Sequence, residues 1–584
     1  MAAGGIFTLI ANDGKADRLI NAADFLKKRI RDIRCEREQR GEENPEPTLL
    51  DIEKTHILFT NASYKPFVSM AYEYNKVRPQ SGNTSLGGQV QFSIPQFGDF
   101  FNDMVAHIRL GATSIGAGGV CPALPVNTQT GAGTAQYITT TYRYVNAAGT
   151  VITPGAAMTD FLRYCEYPGC RVFQKTDFTV NGNPLDFYHE DAYAFYQKFF
   201  VKEDDFGFKR CMGQEYPIDA YGEVTSVSGL GGKTDTCRRM GQIMNGPQTP
   251  KASQPALDLW VPLLFWFNLD PRLAIPSVAI PFGQRFLTMD IASLDKLLFR
   301  ANGALFLETT TTTKNLTGVD TAPVLNSSSA VVLTPTQSTG SSVITSPNIE
   351  IIEMYINNIF VIPEVHDIFI ERVGFNLIRV NRYQKMTVNV QSDEQLLNNL
   401  KYPIEYLMVG LRPTLNQNDP EMWHRFIYAT TDTTDVTSYS NVIADPTDIT
   451  ATAASHTSSS VVERLTYRHT QKTVDKISIT VSGIHLYEEI SGTFFNSYVP
   501  HMFGGHNVKA PREDEGALFV NFCLYPKTYQ PSGHINVSRA REFYLKYWSS
   551  IIPSIVPTAE LIVLASAINF LLITDGSAVL RYTT

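Results

Sequence analysis

The chain has 584 residues, with 49 Lys and Arg against 57 Asp and Glu, for a formal net charge of −8. Hydrophobic residues make up 43%, aromatics 11% and charged residues only 18%. This excludes a largely disordered chain and supplies material for more than one domain. An acidic surface does not coat nucleic-acid phosphates, so no direct nucleic-acid binding is expected. Seven cysteines, an odd number, are too few for a disulfide scaffold and fit a reducing compartment.

The N-terminus has neither a charged start nor a long apolar run, so no secretory signal is expected. Leu561–Ile573 is the longest apolar stretch, but Ser566 and Asn569 interrupt it, and it falls short of the ~20 residues of a spanning helix. The first predicted element is a helix, with Leu19, Ala23, Leu26, Ile30 and Ile33 on one stripe. Lys27, Lys28, Arg29, Arg31, Arg34, Arg37 and Arg40 face three acids, Asp32, Glu36 and Glu38. Gly41 offers a stop. Two readings fit: a solvated helix packed by its stripe, or an arm that docks an acidic partner or an anionic membrane surface.

From His56 onward the pattern is β. Val90, Phe92 and Ile94 alternate with polar residues, as do Met386, Val388 and Val390, and Ile477, Ile479 and Val481. Turn clusters such as Gly182-Asn183-Pro184 and Asn245-Gly246-Pro247 separate the strands, a spacing that predicts β-sandwiches. Two helices are predicted between strands. One is capped by Asn183 and opens at Pro184, with Leu185, Tyr188, Ala192, Phe195 and Phe199 inward. The other follows a capping box at Ser392–Gln395. Together they suggest two similar halves. Ile94-Pro95 with Asp99, Phe101 and Val105 repeats as Ile362-Pro363 with Asp367, Phe369 and Val373 at an offset of 268, a match short enough to arise by chance.

Four stretches break the strand pattern, at about 111–158, 203–250, 302–348 and 414–465. Rich in Ser and Thr, they read as loop excursions, two in each half. The predicted organisation is an arm over 1–50, a first sandwich over 51–300 with the first two excursions, an inter-domain excursion over 301–348, and a second sandwich over 349–584 with the last.

Signals of chemistry are weak. Gly231-Gly232-Lys233-Thr234 imitates a phosphate loop, but Val227 occupies the first glycine position. Cys165 and Cys170 lack a second matched pair for zinc, and His501 and His506 lack nearby carboxylates. Neither a Gly-x-Ser-x-Gly elbow nor a His-Glu-x-x-His motif occurs. No metal or cofactor is expected. Five sequons, beginning at Asn61, Asn83, Asn315, Asn326 and Asn536, are expected to stay bare in the absence of a signal peptide.

Trp260–Asn268, Leu273–Gly283, Gln530–Arg539 and Ala567–Arg581 resemble the corresponding runs in major capsid proteins of nucleocytoplasmic large DNA viruses, in particular the African swine fever virus and faustovirus group. Ile10–Asp17 and Tyr74–Pro79 add to the likeness. The resemblance implies a mainly β chain: a tandem double jelly roll of two eight-stranded antiparallel β-sandwiches with long loop insertions. It further implies a structural role without catalysis, in which homotrimers form pseudo-hexagonal capsomers, neighbouring capsomers tile an icosahedral shell, and assembly occurs in the host cytoplasm. Minor capsid proteins, and the inner membrane region, would meet the N-terminal arm. Assembly candidates are Lys27, Lys28, Arg29, Arg31 and Arg34 on that arm, together with Trp423, expected to be buried against a neighbouring loop or chain. Trp260, Phe265, Trp266 and Phe267 are candidates for the sheet core or an interface. Two rival readings are a two-domain jelly-roll carbohydrate-active enzyme, which needs converging carboxylates in a pocket, and a lectin-like surface binding protein with a discrete ligand site.

Overall fold

Strands with apolar residues at alternate positions bury one face, and strands of this kind build the framework. The structure, a computed structural model, describes residues 27–28, 30–41, 46 and, apart from short interior stretches of which 441–458 is the longest, 70–582. The chain divides into two compact units, Met1–Ser69 and Met70–Thr584. In the first unit residues 30–39 are helical. Leu19, Ala23, Leu26, Arg29 and Asn61 lie outside the described residues.

Among the described residues of the second unit, sixteen strands form the framework. The first eight are β1 Met70–Val77, β2 Gln89–Ser93, β3 Phe100–Leu110, β4 Phe173–Val180, β5 Asn183–His189, β6 Leu257–Pro262, β7 Arg285–Ile291 and β8 Ile349–Val361. The second eight are β9 Gly374–Val388, β10 Ser392–Leu396, β11 Pro403–Pro413, β12 Lys476–Val481, β13 Ile484–Ser491, β14 Ala517–Asn521, β15 Phe543–Trp548 and β16 Ala559–Thr574. The first set is ordered β1-β8-β3-β6 and β2-β7-β4-β5; the second is ordered β9-β16-β11-β14 and β10-β15-β12-β13. Adding eight to each label of the first set gives the second, so the chain repeats one topology. Each repeat is two antiparallel sheets with four framework strands apiece, three of the four sheets carrying short extra strands, and the whole is a tandem double jelly roll.

The alternating aliphatics fill both sandwiches. Val90, Phe92, Ile108, Leu287 and Met289 are buried in the first, and Ile477, Ile479, Val409, Leu545 and Val563 in the second. Phe265, Trp266 and Phe267 are core residues too, although Trp266–Leu269 is a helical turn rather than strand. Trp260 lies half-buried and stacks on His107, with ring centroids 4.1 Å apart.

Several sequence expectations change. The segment opening at Pro184 is strand β5, and helix α1 begins only at Glu190 and ends at Phe199. Proline is tolerated because β5 is an edge strand, where a missing N–H costs no ladder bond. Ser392–Gln395 does not cap a helix; it is strand β10, paired with β15. The counterpart of α1 is instead the helical stretch 492–503, which follows β13 as α1 follows β5. The match at offset 268 joins unlike elements: Phe101 and Val105 lie on β3, whereas Asp367 and Phe369 lie on the helix Pro363–Glu371, and Val373 is outside the described residues.

The four excursions are built of β-strands. Leu305–Thr317 pairs with both Val324–Thr336 and Gln136–Asn146, and Thr128–Gly131 extends that sheet. Ile218–Val227 pairs with Thr234–Ile243, and Ile427–Ser440 with Ser459–Lys472. Their threonine-rich strands are β-prone but show no apolar alternation. The stretch 302–348 also sits between β7 and β8, so three excursions belong to the first sandwich and one to the second. Strand β8, from the region read as the second half, pairs with β3 and β1 in the first.

Candidate functional site

The two sandwiches meet along a joint dense in buried charge. On the first sandwich it is built by β5 and α1. Glu190 and Asp191 occupy the first turn of α1, where the helix dipole favours acids. The Tyr193 hydroxyl donates to the Pro262 carbonyl at 2.9 Å and lies 3.1 Å from the Tyr188 hydroxyl, anchoring α1 to its own sandwich. Asp191, Phe195 and Phe199 then form a stripe at i, i+4 and i+8 that faces the second sandwich. Phe195 stacks on Phe426 at 4.7 Å, and Phe199 meets Phe519 at 5.4 Å. Gly410 on β11 admits this packing, since a Cβ there would overlap the Phe426 ring.

Arg412 at the end of β11 is the centre of the joint. Its guanidinium reaches Asp191 Oδ1 at 2.7 Å and Glu560 Oε2 at 2.8 Å, and donates to the Trp423 carbonyl at 3.0 Å. The Tyr383 hydroxyl donates to Asp191 Oδ2 at 2.6 Å, and Lys385 pairs with Glu560 at 2.6 Å. Burial alone would push both carboxyls up. Arg412 reverses this and holds Asp191 and Glu560 below the usual carboxylate range.

Two further clusters flank this centre. Asp186 on β5 accepts from the Asn381 backbone N–H at 2.9 Å, with Arg382 Nη1 at 3.6 Å. Burial dominates there and pushes the Asp186 carboxyl up to about 7. On the other flank, the Trp423 indole donates to the Glu166 carbonyl at 2.8 Å while Arg171 lies 5.0 Å over its ring. His424 Nε2 sits 3.0 Å from Glu166 Oε2; burial pushes its imidazole down to about 4, with Glu166 opposing. Lys198 of α1 pairs with Asp514, which also accepts from the Phe426 N–H at 2.9 Å.

The sequence candidates fall as follows. Trp423 is 1% exposed and is covered within its own chain, by Glu166 and Arg171 of the segment that leads into β4 of the first sandwich. Lys27, Lys28, Arg31 and Arg34 are exposed, and Arg34 pairs with Glu46 at 2.5 Å. Cys165 and Cys170 are buried free thiols, and burial pushes the Cys165 thiol up to about 12. Gly231, Gly232, Lys233 and His506 lie outside the described residues, and Thr234 opens a strand. Among the described residues no cluster of His, Cys, Asp and Glu could hold a metal ion, and no helix is long and apolar enough to cross a membrane. Asp186, Asp191, Arg412 and Glu560 belong to no motif that marks them in the sequence. The available signal was a lone charge inside an apolar strand, as at Arg412 after Tyr406-Leu-Met-Val-Gly-Leu411, because such a group needs a buried partner.

The buried charges are paired across the joint, so that the arrangement positions one sandwich on the other. A family described as "Large eukaryotic DNA virus major capsid protein" matches residues 359–579. The major capsid protein of African swine fever virus (isolate Pig/Kenya/KEN-50/1950) is 38% identical over the full length of both chains. The chain belongs to the major capsid proteins of large eukaryotic DNA viruses. The hexon protein p72 of African swine fever virus (isolate Tick/Malawi/Lil 20-1/1983) is also 38% identical over the whole of both chains. The solved faustovirus major capsid protein superposes with a TM-score of 0.78 at 44% identity, covering 96% of this chain and 100% of that one. This capsid protein is therefore a structural component of the virion shell and assembles with neighbouring capsomers; it is not an enzyme. The buried charges of the joint hold a building block in shape.

Proposed function

We propose that three copies of this capsid protein close into a trimer whose six jelly rolls give a capsomer of pseudo-hexagonal outline. One observation carries the reading: two sandwiches of identical strand order, locked by a buried joint, make each chain a rigid pair of like units. Repeating a like contact between like units either closes a ring or runs on as a filament. The name of the hexon relative agrees with closure. In this reading the first sandwich ends with β8, the second starts at β9, and the strand-built excursions form the outer tower. Trp423 acts on the outer contact indirectly, by fixing the base of the ribbon Ile427–Ser440 and Ser459–Lys472. Lys27, Lys28, Arg29, Arg31 and Arg34 give the N-terminal arm a basic face for a minor capsid protein or the inner membrane region, and assembly takes place in the host cytoplasm. Light scattering on the purified chain tests this: a stable mass near three times 65.1 kDa supports it, and a monomer rejects it. Removing residues 1–40 should leave that mass per subunit count intact and lower shell yield; undiminished yield rejects the role of the arm.

A further inference from the structure

A cleft of 580 Å³ opens on the joint beside the end of α1. One wall belongs to the first sandwich. It is made by the last turn of α1, the segment that follows, and the short helix Phe206–Cys211, which Asp205 caps by accepting from the Phe208 N–H at 2.9 Å. The other wall belongs to the second sandwich and is made by His424, Arg425 and residues 509–514. The Lys509 N–H donates to the Phe199 carbonyl at 2.8 Å, which fastens that segment to the end of α1.

The lining carries six cations, Lys198, Lys202, Lys209, Arg425, Lys509 and Arg512, against four acids, Glu203, Asp204, Glu513 and Asp514. Burial keeps His424 uncharged at neutral pH. Three of the acids are already taken. Lys198 pairs with Asp514, Arg425 reaches Glu513 at 3.2 Å, and Arg512 reaches Glu203 at 3.5 Å. Lys202, Lys209 and Lys509 have no carboxylate partner among the described residues, and only Asp204 is left to offset them. Lys209 and Lys509 are half-buried, where water screens their charges less than on an open surface. Three polar atoms of the lining residues, His424 Nδ1, Arg425 Nε and Gln197 Oε1, are buried with no hydrogen-bond partner among the described residues. Groups of that kind are satisfied by a bound ion or by solvent. A second cavity of 260 Å³ shares Arg425, Arg512 and Glu513 with the first and adds Lys472 and Glu515. The basic lining thus continues to the base of the ribbon Ile427–Ser440 and Ser459–Lys472.

We propose that this cleft binds a small oligophosphate, a chain of three or more phosphoryl groups, held by Lys202 and Lys209 of the first sandwich and Lys509 of the second. The unpaired lysines stand on both walls, so a single phosphate or carboxylate serves one wall only, whereas a phosphate chain brings charged acceptors to each. The volume lies within the ~300–1,000 Å³ of small-molecule sites. Bound there, the anion ties the two sandwiches a second time, beside Arg412, and stabilises the folded chain by mass action. The proposal stands apart from the trimer reading, because one chain supplies every lining residue.

The probes are inorganic triphosphate and ATP, titrated calorimetrically into the full purified chain at low ionic strength, with sulfate as the single-anion control. Triphosphate should bind once per chain and weaken as salt is added. At about 1 mM it should raise the melting temperature by about 2 °C or more, and sulfate at equal ionic strength should not. Equal affinity for ATP assigns the site to the phosphate chain alone, and tighter binding of ATP assigns it to a nucleotide; both support the cleft. Lys209→Gln with Lys509→Gln should weaken triphosphate about tenfold or more through the lost charge-assisted bonds. Melting of the unliganded variant should be unchanged, since neither lysine has a carboxylate partner among the described residues. Hydrogen exchange of the unaltered chain reads the same site without a substitution: triphosphate should slow exchange at 201–210 and 509–514. No binding at about 1 mM, an affinity that the double variant keeps, or slowing confined to other segments overturns the proposal.

Discussion

Replacing Arg412 with methionine should loosen the two sandwiches. The guanidinium is almost fully buried, contacts two carboxylates at 2.7 and 2.8 Å and caps the Trp423 carbonyl. Methionine keeps much of the volume but leaves Asp191 without its paired guanidinium and Glu560 with Lys385 alone. Breaking a buried pair by removing one partner costs about 3–5 kcal/mol, chiefly because a charge is left uncompensated. With m-values of a few kcal/mol per M, the urea midpoint should fall on the order of 1 M. The assay is equilibrium urea unfolding followed by tryptophan fluorescence, since Trp423 adjoins the site. Adding Asp191→Asn and Glu560→Gln to Arg412→Met should recover most of the loss, because neutral groups need no cation. If the midpoint moves by less than about a quarter of that amount, or if the triple variant is worse than the single one, the account of the joint is wrong.

Substitutions at three other positions probe the same joint. Asp186, held near 7 against an ordinary carboxyl near 4, binds a proton in the folded chain that the unfolded chain has released, so its contribution falls as pH rises through that interval. Asp186→Asn should therefore raise stability at pH 8 more than at pH 5; equal effects at both would contradict this. His424 acts in the opposite sense. Its folded value near 4 lies below the ordinary 6.5, so stability present above 6.5 is lost as pH falls toward 4, and His424→Gln should flatten that acid limb in a melting-temperature profile. Trp423→Ala should cost about 3–5 kcal/mol through the cavity it leaves, whereas Trp423→Phe should cost about 1 kcal/mol for the lost indole bond to Glu166; a thermal melt in which the two variants match would sink the idea of a packed bolt.

The fold was legible where physics repeats along the chain. Period-two runs such as Gln89–Ser93 and Lys476–Val481 are strands because one face is wet and the other filled. Local helix signals misled at Pro184 and Ser392, because edge strands tolerate proline and polar starts that also suit helix caps. The threonine-rich excursions hid their strands, since their apolar residues, such as Tyr144, Ile152 and Leu307, are too sparse to give a period to read. The basic arm was visible as a charge run. The joint was hardly visible at all: Asp191 and Arg412 are 221 positions apart, and neither position reveals its partner until both strands and α1 are in place. Trp423 stood out for its size, but sequence could not say that its cover comes from Glu166 and Arg171 of the same chain.

The most direct test is single-particle imaging of the purified, unmodified capsid protein. The account predicts particles of hexagonal outline in which six barrel-shaped densities group as three rigid pairs. Separate two-lobed particles, or rings with another number of barrels, would contradict it.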